Sequence, residues 1–390
     1  MIYLICYLSS CFFAYLNFNF RKSDKYAASI FTVISIFIPC FVAGIRDSHI
    51  GTDVNVYVYP VIESMRHGDD GLFTLLYNEL FLEETNGVFF TTLLYFCSKL
   101  TNGFFWALFA IEFLCLYPVY KVVQKQDFSS GLKVLSLFCY FCFYYHLSFN
   151  LMKQCVAVAI TFLGVDLVKS KKTREYILLV LFTAFIVHKT ALLALLVYFV
   201  YALATDYHEL LVDKYSKIRV NIEKRSSRRF KYFLFLMLII GLIVVLLNIR
   251  RVLIPLVMLK HSYIYQLRNL KSFELKYSNF IVMFLIIMPV VLFRKNKIKS
   301  DFKYRFYIYI LVLSAVLYQF VGVSPALYRL SLYTLIFVIL AVPEFINLFK
   351  KDDKIVAGVY YILILIMNFM FEVVLNSYAG VYPYSTSCFG

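Results

Sequence analysis

The chain has 390 residues, 62% of them hydrophobic and 16% charged, with a mean hydropathy of +0.76 and a formal net charge of +16. Those values exclude a soluble globular domain, which needs far more polar surface at this size. They also weaken a nucleic-acid reading of the positive charge, because Lys and Arg collect in the cytoplasmic loops of membrane proteins.

Runs long enough to cross a bilayer recur from the first residues onward. A hydrocarbon core of about 30 Å takes roughly 20 helical residues. Apolar runs fall at 2–20, 26–45, 103–121, 131–149, 151–168, 176–203, 231–248, 278–293, 306–322, 327–348 and 355–375. They lack the alternation of membrane barrel strands, and backbone groups in lipid must be satisfied internally, so the elements are helices. The expected fold is an all-α polytopic membrane protein, a single integral-membrane domain over 1–390. The run Ile2 to Phe20 has no basic segment before it and no small-residue cleavage site, so it reads as a retained span. Val88 to Leu100 is too short for a span and reads as interfacial or re-entrant. The nine cysteines lie almost entirely in apolar runs and show no zinc-like pairing, which argues neither a disulfide framework nor a metal site.

Basic clusters set the orientation. Residues 21–25, 169–174, 217–231, 294–305 and 350–354 all read as cytoplasmic. Both clusters around the run 176–203 want the same side, so that run is expected to turn back at "IVHKTA", where His188 and Lys189 interrupt it. Twelve crossings result, with both termini outside. A first periplasmic loop covers 46–102, with its interfacial helix, and a second covers 249–277.

This topology gathers Arg46, Asp53, Lys153, Gln154, His188, Lys189, Arg250, Arg251, Arg268 and Arg329 on the outer side, where the positive-inside rule expects few cations. Ionisable groups at membrane depth are costly and usually face a cavity. Clustered outer cations suit an anionic ligand such as a lipid pyrophosphate. Lys153 and Gln154 fall in the first turn of a helix for which Ser148 or Asn150 is the expected cap. Tyr57 lies in "VNVYVY", whose aromatics suit a sugar site. Plainer readings stand beside these. Arg46 and Asp53 form a surface ion pair or belong to a turn, His188 is a satisfied histidine at a helix break, and Arg250 and Arg251 snorkel to the interface. Lys260 and Lys271 are ordinary loop charges, Glu112 and His146 pair locally, and Asp166 is interfacial. No P-loop, GxGxxG, GxSxG or HExxH pattern is present.

Three short patterns occur in order: Arg46 with Gly51, Thr52, Asp53 and Tyr57; Asn150 with Lys153, Gln154 and Ala157; and Ala184 with His188, Thr190 and Ala191. Further echoes are Tyr263 and Tyr265, "YRLSLY" around Arg329 with Pro343 closing the next span, and Tyr382 to Tyr384. Together they resemble the EpsG family of exopolysaccharide proteins, which includes Wzy-type O-antigen polymerases. The resemblance implies a GT-C-like fold with an outer-face cavity, in the bacterial inner membrane. It implies joining of undecaprenyl-pyrophosphate-linked repeat units at the periplasmic face. The family usually has Arg-Gln where this chain has Lys153-Gln154, and lysine offers a point charge instead of a bidentate fork.

The chemistry so implied is displacement at an anomeric carbon with a pyrophosphate leaving group. Lys153, Arg268 and Arg329 are expected to hold the pyrophosphate, helped by Arg250 or Arg251, and Gln154 is expected to bind substrate beside Lys153. Asp53 or His188 takes the acceptor proton, Arg46 orients Asp53 or a second phosphate, and Tyr57 meets sugar. No cofactor or metal is expected if cations carry the charge. The expected partners are the lipid-linked oligosaccharide and membrane lipids, with a chain-length regulator as a further candidate and no nucleic acid. The alternatives are a flippase for the lipid-linked unit, a glycan ligase and an O-acyltransferase.

Overall fold

Apolar sequence without β-periodicity becomes helix almost throughout. The computed structural model describes residues 2–68, 71–81, 87–205, 223–249 and 273–386, and among the described residues there is no strand beyond one isolated bridge. The chain forms two compact units, Met1–Leu192 with Val356–Gly390, and Leu193–Ile355.

The first unit starts with a hairpin, α1 (Ile2–Phe20) and α2 (Lys25–Gly44). Asp24 caps α2 by accepting from the amides of Tyr26 and Ala27. Small polar side chains let the two helices approach closely. The Ser10 hydroxyl donates to the Ser35 carbonyl at 2.7 Å and the Ser35 hydroxyl donates to the Ser10 carbonyl at 2.9 Å. Three short helices follow: α3 (Tyr59–His67), α4 (Leu72–Phe81) and α5 (Val88–Ser98). The buried Glu79 of α4 accepts from the Gly87 amide and the Thr91 hydroxyl, both at 2.8 Å, so its charge sits at the start of α5. The long α6 (Gly103–Lys125) packs on α2 and on α9 (Met152–Leu163). Between them lie α7 (Ser130–Tyr140), a π turn Phe141–Tyr145 and α8 (His146–Ser148). Then come α10 (Val165–Lys169) and α11 (Thr173–Ile186).

This unit has two chemically distinct ends. α1 has 19 residues, so its ends are about 28 Å apart. At its far end Lys133 donates to the Gln124 carbonyl and lies over the Phe18 ring, Lys169 donates to Gln126, and Lys125 pairs with Asp166. At its near end Tyr3 donates to the Val381 carbonyl at 2.8 Å, beside Val42 and Arg46 through Tyr384 and Thr386. The basic clusters at 21–25 and 169–174 therefore sit opposite the segment that starts at Arg46.

The second unit contains α12 (Leu195–Ala204), α13 (Glu223–Leu247), α14 (Tyr277–Phe293), α15 (Lys295–Ser300), α16 (Phe302–Tyr318), α17 (Leu332–Leu335) and α18 (Val338–Asn347). The buried α16 contacts α12, α13, α14 and α17. The C-terminus of α12 is capped by cations: Arg305 donates twice to the Ala204 carbonyl, and Lys231 donates to the carbonyls of Ala202 and Thr205. Positive charge at a helix C-terminus is favourable. α19 (Lys351–Phe369) runs back into the first unit and continues as a π turn, Met370–Leu375.

Among the described residues six helices are long and apolar enough to cross a membrane: Ile2–Phe20, Lys25–Gly44, Gly103–Lys125, Phe230–Leu247, Phe302–Gly322 and Lys351–Leu375. Shorter apolar helices cover Val88–Ser98, Lys189–Ala204, Tyr277–Phe293 and Leu332–Asn347. The run 176–203 does break where expected. α11 ends at Ile186 and a 3-10 turn occupies Lys189–Ala194. The amides of Val187 and His188 both turn to the Thr183 carbonyl, and the Thr190 amide donates to the His188 ring, so local side-chain bonds replace the helical ladder.

Candidate functional site

Helix α2 ends at Gly44, and the chain turns at Asp47 to Asp53. Asp47 accepts from the His49 amide, and the Ile50 amide bonds the Asp47 carbonyl. Gly51 is required here: its φ is +91°, and a Cβ would lie 2.1 Å from the Phe149 carbonyl oxygen. Its amide donates to the Ala379 carbonyl at 2.9 Å. The Gly-Thr-Asp turn is thus pressed between the start of α9 and the segment after α19.

Asn150 joins the first two. Its side-chain oxygen accepts from the Thr52 hydroxyl and, at 3.4 Å, from the Asp53 amide. Its NH₂ reaches the Tyr378 hydroxyl at 3.5 Å. Two donors on one side fix the amide with its oxygen toward Thr52. This corrects the expected capping. The N-terminal flank of α9 is Leu151, without a side-chain cap. Asn150 serves the Gly-Thr-Asp turn instead, and the Ser148 hydroxyl donates to Glu112 and to the Tyr145 carbonyl. Lys153 and Gln154 do lie in the first turn of α9. Lys153 Nζ sits 4.5 Å from the centre of the Tyr57 ring and 6.0 Å from that of Phe90, a cation–π arrangement. Gln154 is only 3% exposed, and neither end of its amide has a partner among the described residues.

Arg46 is 1% exposed. Its guanidinium lies 4.0 Å from the centre of the Phe149 ring, with the Phe149 carbonyl at 3.5 Å and the Met152 sulfur at 3.9 Å as its contacts. It is therefore no surface ion pair with Asp53. Burial lowers its pKa to about 10, opposed chiefly by the Glu112 carboxylate, so it is charged at neutral pH. Glu112 accepts from the Tyr140 and Ser148 hydroxyls. His146, expected to pair locally, has no partner at Nδ1 among the described residues and meets the Tyr378 ring edge-on at 5.7 Å.

His188 stands at the break after α11. Its Nδ1 lies 2.7 Å from the Thr190 hydroxyl and accepts from the Thr190 amide. The neutral ring accordingly carries its proton on Nε2. A Cβ at Gly87 would lie 3.5 Å from the Val187 carbonyl oxygen, and Phe90, three residues further on, is the ring beside Lys153. The start of α5 thus links the His188 turn to Lys153.

Residues 29–386, nearly the whole chain, match the model of the EpsG family. The chain belongs to the EpsG family. This is a family of Wzy-type polymerases. Neither a curated protein nor a solved structure matches this EpsG-family chain.

Of the expected site residues, Arg46, Asp53, Tyr57, Lys153 and Gln154 come together in the first unit, with His188 approached through α5. Arg329 belongs to the second unit, on the 3-10 turn Pro325–Leu330. Its buried Nε has no partner among the described residues. Pro343 is buried inside α18 and does not close a span. Arg250, Arg251, Arg268, Lys260, Lys271, Tyr263 and Tyr265 lie outside the described residues. Asn150 and Thr52 were visible in the motifs, but only as a cap and a turn. Tyr378 carried no signal beyond an aromatic after a long apolar run. Among the described residues no group of three or more His, Cys, Asp or Glu is placed to hold a metal ion.

Proposed function

We propose that this chain joins lipid-linked oligosaccharide repeat units into a surface polysaccharide, at the periplasmic face of the bacterial inner membrane. The observation that carries the reading is the meeting of the Gly51–Asp53 turn with the Asn150–Gln154 helix start, across about 100 residues of sequence. It sets a carboxylate, a lysine and aromatic rings at the end of the unit opposite its cytoplasmic-type basic clusters. Twelve crossings with both termini outside remain the topology that best suits those clusters and the break at His188.

In this reading the anomeric carbon–oxygen bond to undecaprenyl pyrophosphate breaks as the acceptor hydroxyl oxygen bonds that carbon. The acceptor proton passes to Asp53, and the leaving pyrophosphate departs as an anion. Because the His188 Nδ1 lone pair is engaged by Thr190, His188 acts as a donor from Nε2, and the base is Asp53. Lys153 and the helix start behind it stabilise the departing charge. Arg46, stacked on Phe149, keeps the α9 entrance positive from beneath. Arg329 retains the chemistry of a phosphate ligand within the second unit.

The test is substitution of Asp53→Asn, Lys153→Met and His188→Ala singly, with surface glycan resolved on a gel at equal protein levels. Loss of polymerisation leaves glycans one repeat long. Normal long ladders in all three variants would end the assignment. A flippase predicts no surface glycan at all, and a ligase predicts a ladder kept on the carrier lipid.

A further inference from the structure

Tyr378 lies between the end of α19 and Thr386, four residues before the Tyr382 to Tyr384 echo and itself in no motif. Ser377, Ala379 and Gly380 around it have φ of +46°, +52° and +68°. Left-handed conformations cost non-glycine residues about 1–2 kcal/mol each and cluster at functional sites. Long-range bonds hold the segment in place: Gly51 N–H to Ala379 O at 2.9 Å, Asp47 N–H to Ser385 O at 3.0 Å and Tyr3 O–H to Val381 O at 2.8 Å. The strained backbone thereby sets Tyr378 against Asn150 and His146.

Hydrogen-bond arithmetic says what Tyr378 has left to give. Asn150 presents its NH₂ to the Tyr378 oxygen, because its own oxygen faces Thr52 and Asp53. The Tyr378 hydroxyl therefore accepts from Asn150, and among the described residues no acceptor takes its proton. Beside it lies His146, 3% exposed, whose Nδ1 is likewise unpartnered. Buried polar groups are normally paired. The buried His146 and the half-buried Tyr378, set edge to face next to the Asp53 turn, fit a neutral polyhydroxyl ligand: oxygens to accept the phenol proton, and C–H faces to rest on the rings. Asp53 is near enough for its charge to act on Tyr378, with burial the larger influence raising the phenol pKa. A carboxylate that close disfavours a phosphate at this point and favours a sugar.

We propose that Tyr378 donates its hydroxyl proton to a sugar hydroxyl of the acceptor saccharide, holding it beside Asp53. This rests on the polymerase reading above and adds the residue that binds the acceptor. The experiment uses the full chain in membrane vesicles, with lipid-linked repeat unit from polymerase-deficient cells supplied at rising concentration. Tyr378→Phe keeps the ring against His146 and removes only the hydroxyl. The expected result is an apparent KM raised about tenfold, with kcat little changed and an unchanged melting temperature in detergent. Inorganic pyrophosphate should inhibit the variant as it inhibits the parent. Three results would overturn the proposal: a normal KM, a drop in kcat alone, or weaker inhibition by pyrophosphate, which would put the hydroxyl on the phosphate. A variant that fails to accumulate also overturns it, because the hydroxyl would then be structural. If Asp53→Asn and Lys153→Met vesicles also polymerise normally, the polymerase site itself is wrong. If they are dead and Tyr378→Phe is normal, only the Tyr378 role is lost.

Discussion

Substituting Gly51 by Ala tests whether the Gly-Thr-Asp turn must sit directly on the α9 entrance. The added methyl would start 2.1 Å from the Phe149 oxygen and 2.9 Å from its carbonyl carbon, where ordinary contact begins at 3.4 Å. The obstacle is backbone, so no rotamer relieves it, and the turn and the α9 entrance must part by roughly 1 Å. The φ of +91° adds strain of about 1–3 kcal/mol for a residue with a Cβ. The Thr52 and Asp53 contacts to Asn150 lie one and two residues further on and must lengthen together. A misplacement of about 1 Å costs on the order of 10²-fold in rate. We expect Gly51→Ala to lose long glycan chains while staying in the membrane, because the α1–α2–α6 packing is untouched. Gly131→Ala is the control: it lies in α7, and its Cβ would meet nothing within 4 Å. Glycan ladders on gels, normalised to protein by immunoblot, give the readout. A normal ladder from Gly51→Ala at a normal level would refute the close-approach argument.

Other substitutions probe separate parts of the site. Lys153→Arg keeps a cation over Tyr57 and should retain polymerisation, whereas Lys153→Met should lose it; equal ladders from the two would show that charge at this position is dispensable. Arg46→Gln removes a buried cation whose ring contact is worth about 2 kcal/mol when desolvated, and should lower both the melting temperature and the activity. Arg46's folded pKa, about 10, lies below its usual value. Its pH-linked gain in stability therefore begins only above about pH 10. The activity ratio of parent to Arg46→Gln should thus be level from roughly pH 6 to 8, and a tenfold change across that window would show Arg46 titrating. Glu112→Ala strands the Tyr140 and Ser148 hydroxyls and should destabilise by about 2–5 kcal/mol. Glu112→Gln should cost far less, and thermal unfolding in detergent compares them.

What the sequence disclosed followed the physics that acts locally. The apolar runs gave the helices because lipid leaves the backbone no other partner, and α1, α2, α6 and α19 begin and end close to the expected residues. The interruption at His188 was readable because a histidine and a lysine inside an apolar run cannot stay in lipid. Arg46 stands out by its charge, but its neighbours in sequence do not reveal its partner. Asp53 is close in sequence, whereas Phe149 and Met152 come near only through packing of α2 on α6 and of α6 on α9. Asn150 looked like a cap because Asn before a helix usually is one; the turn at Thr52 competes for its oxygen and wins. "VNVYVY" alternates like a strand, yet it forms a π turn, Val54–Val58, leading into α3. Tyr378 was invisible, since its role depends on a fold-back of residues 377–386 that no periodicity announces.

That fold-back fixes an order of events during synthesis. The Asp47 and Gly51 amides bind carbonyls of Ser385 and Ala379, which leave the ribosome more than 300 residues later. The six long apolar helices described above can enter the bilayer before those amides find their acceptors. The end that carries the Gly-Thr-Asp turn is consequently the last piece to mature. Nascent chains halted before residue 377 should insert normally, yet carry a Gly-Thr-Asp turn still open to water and proteases.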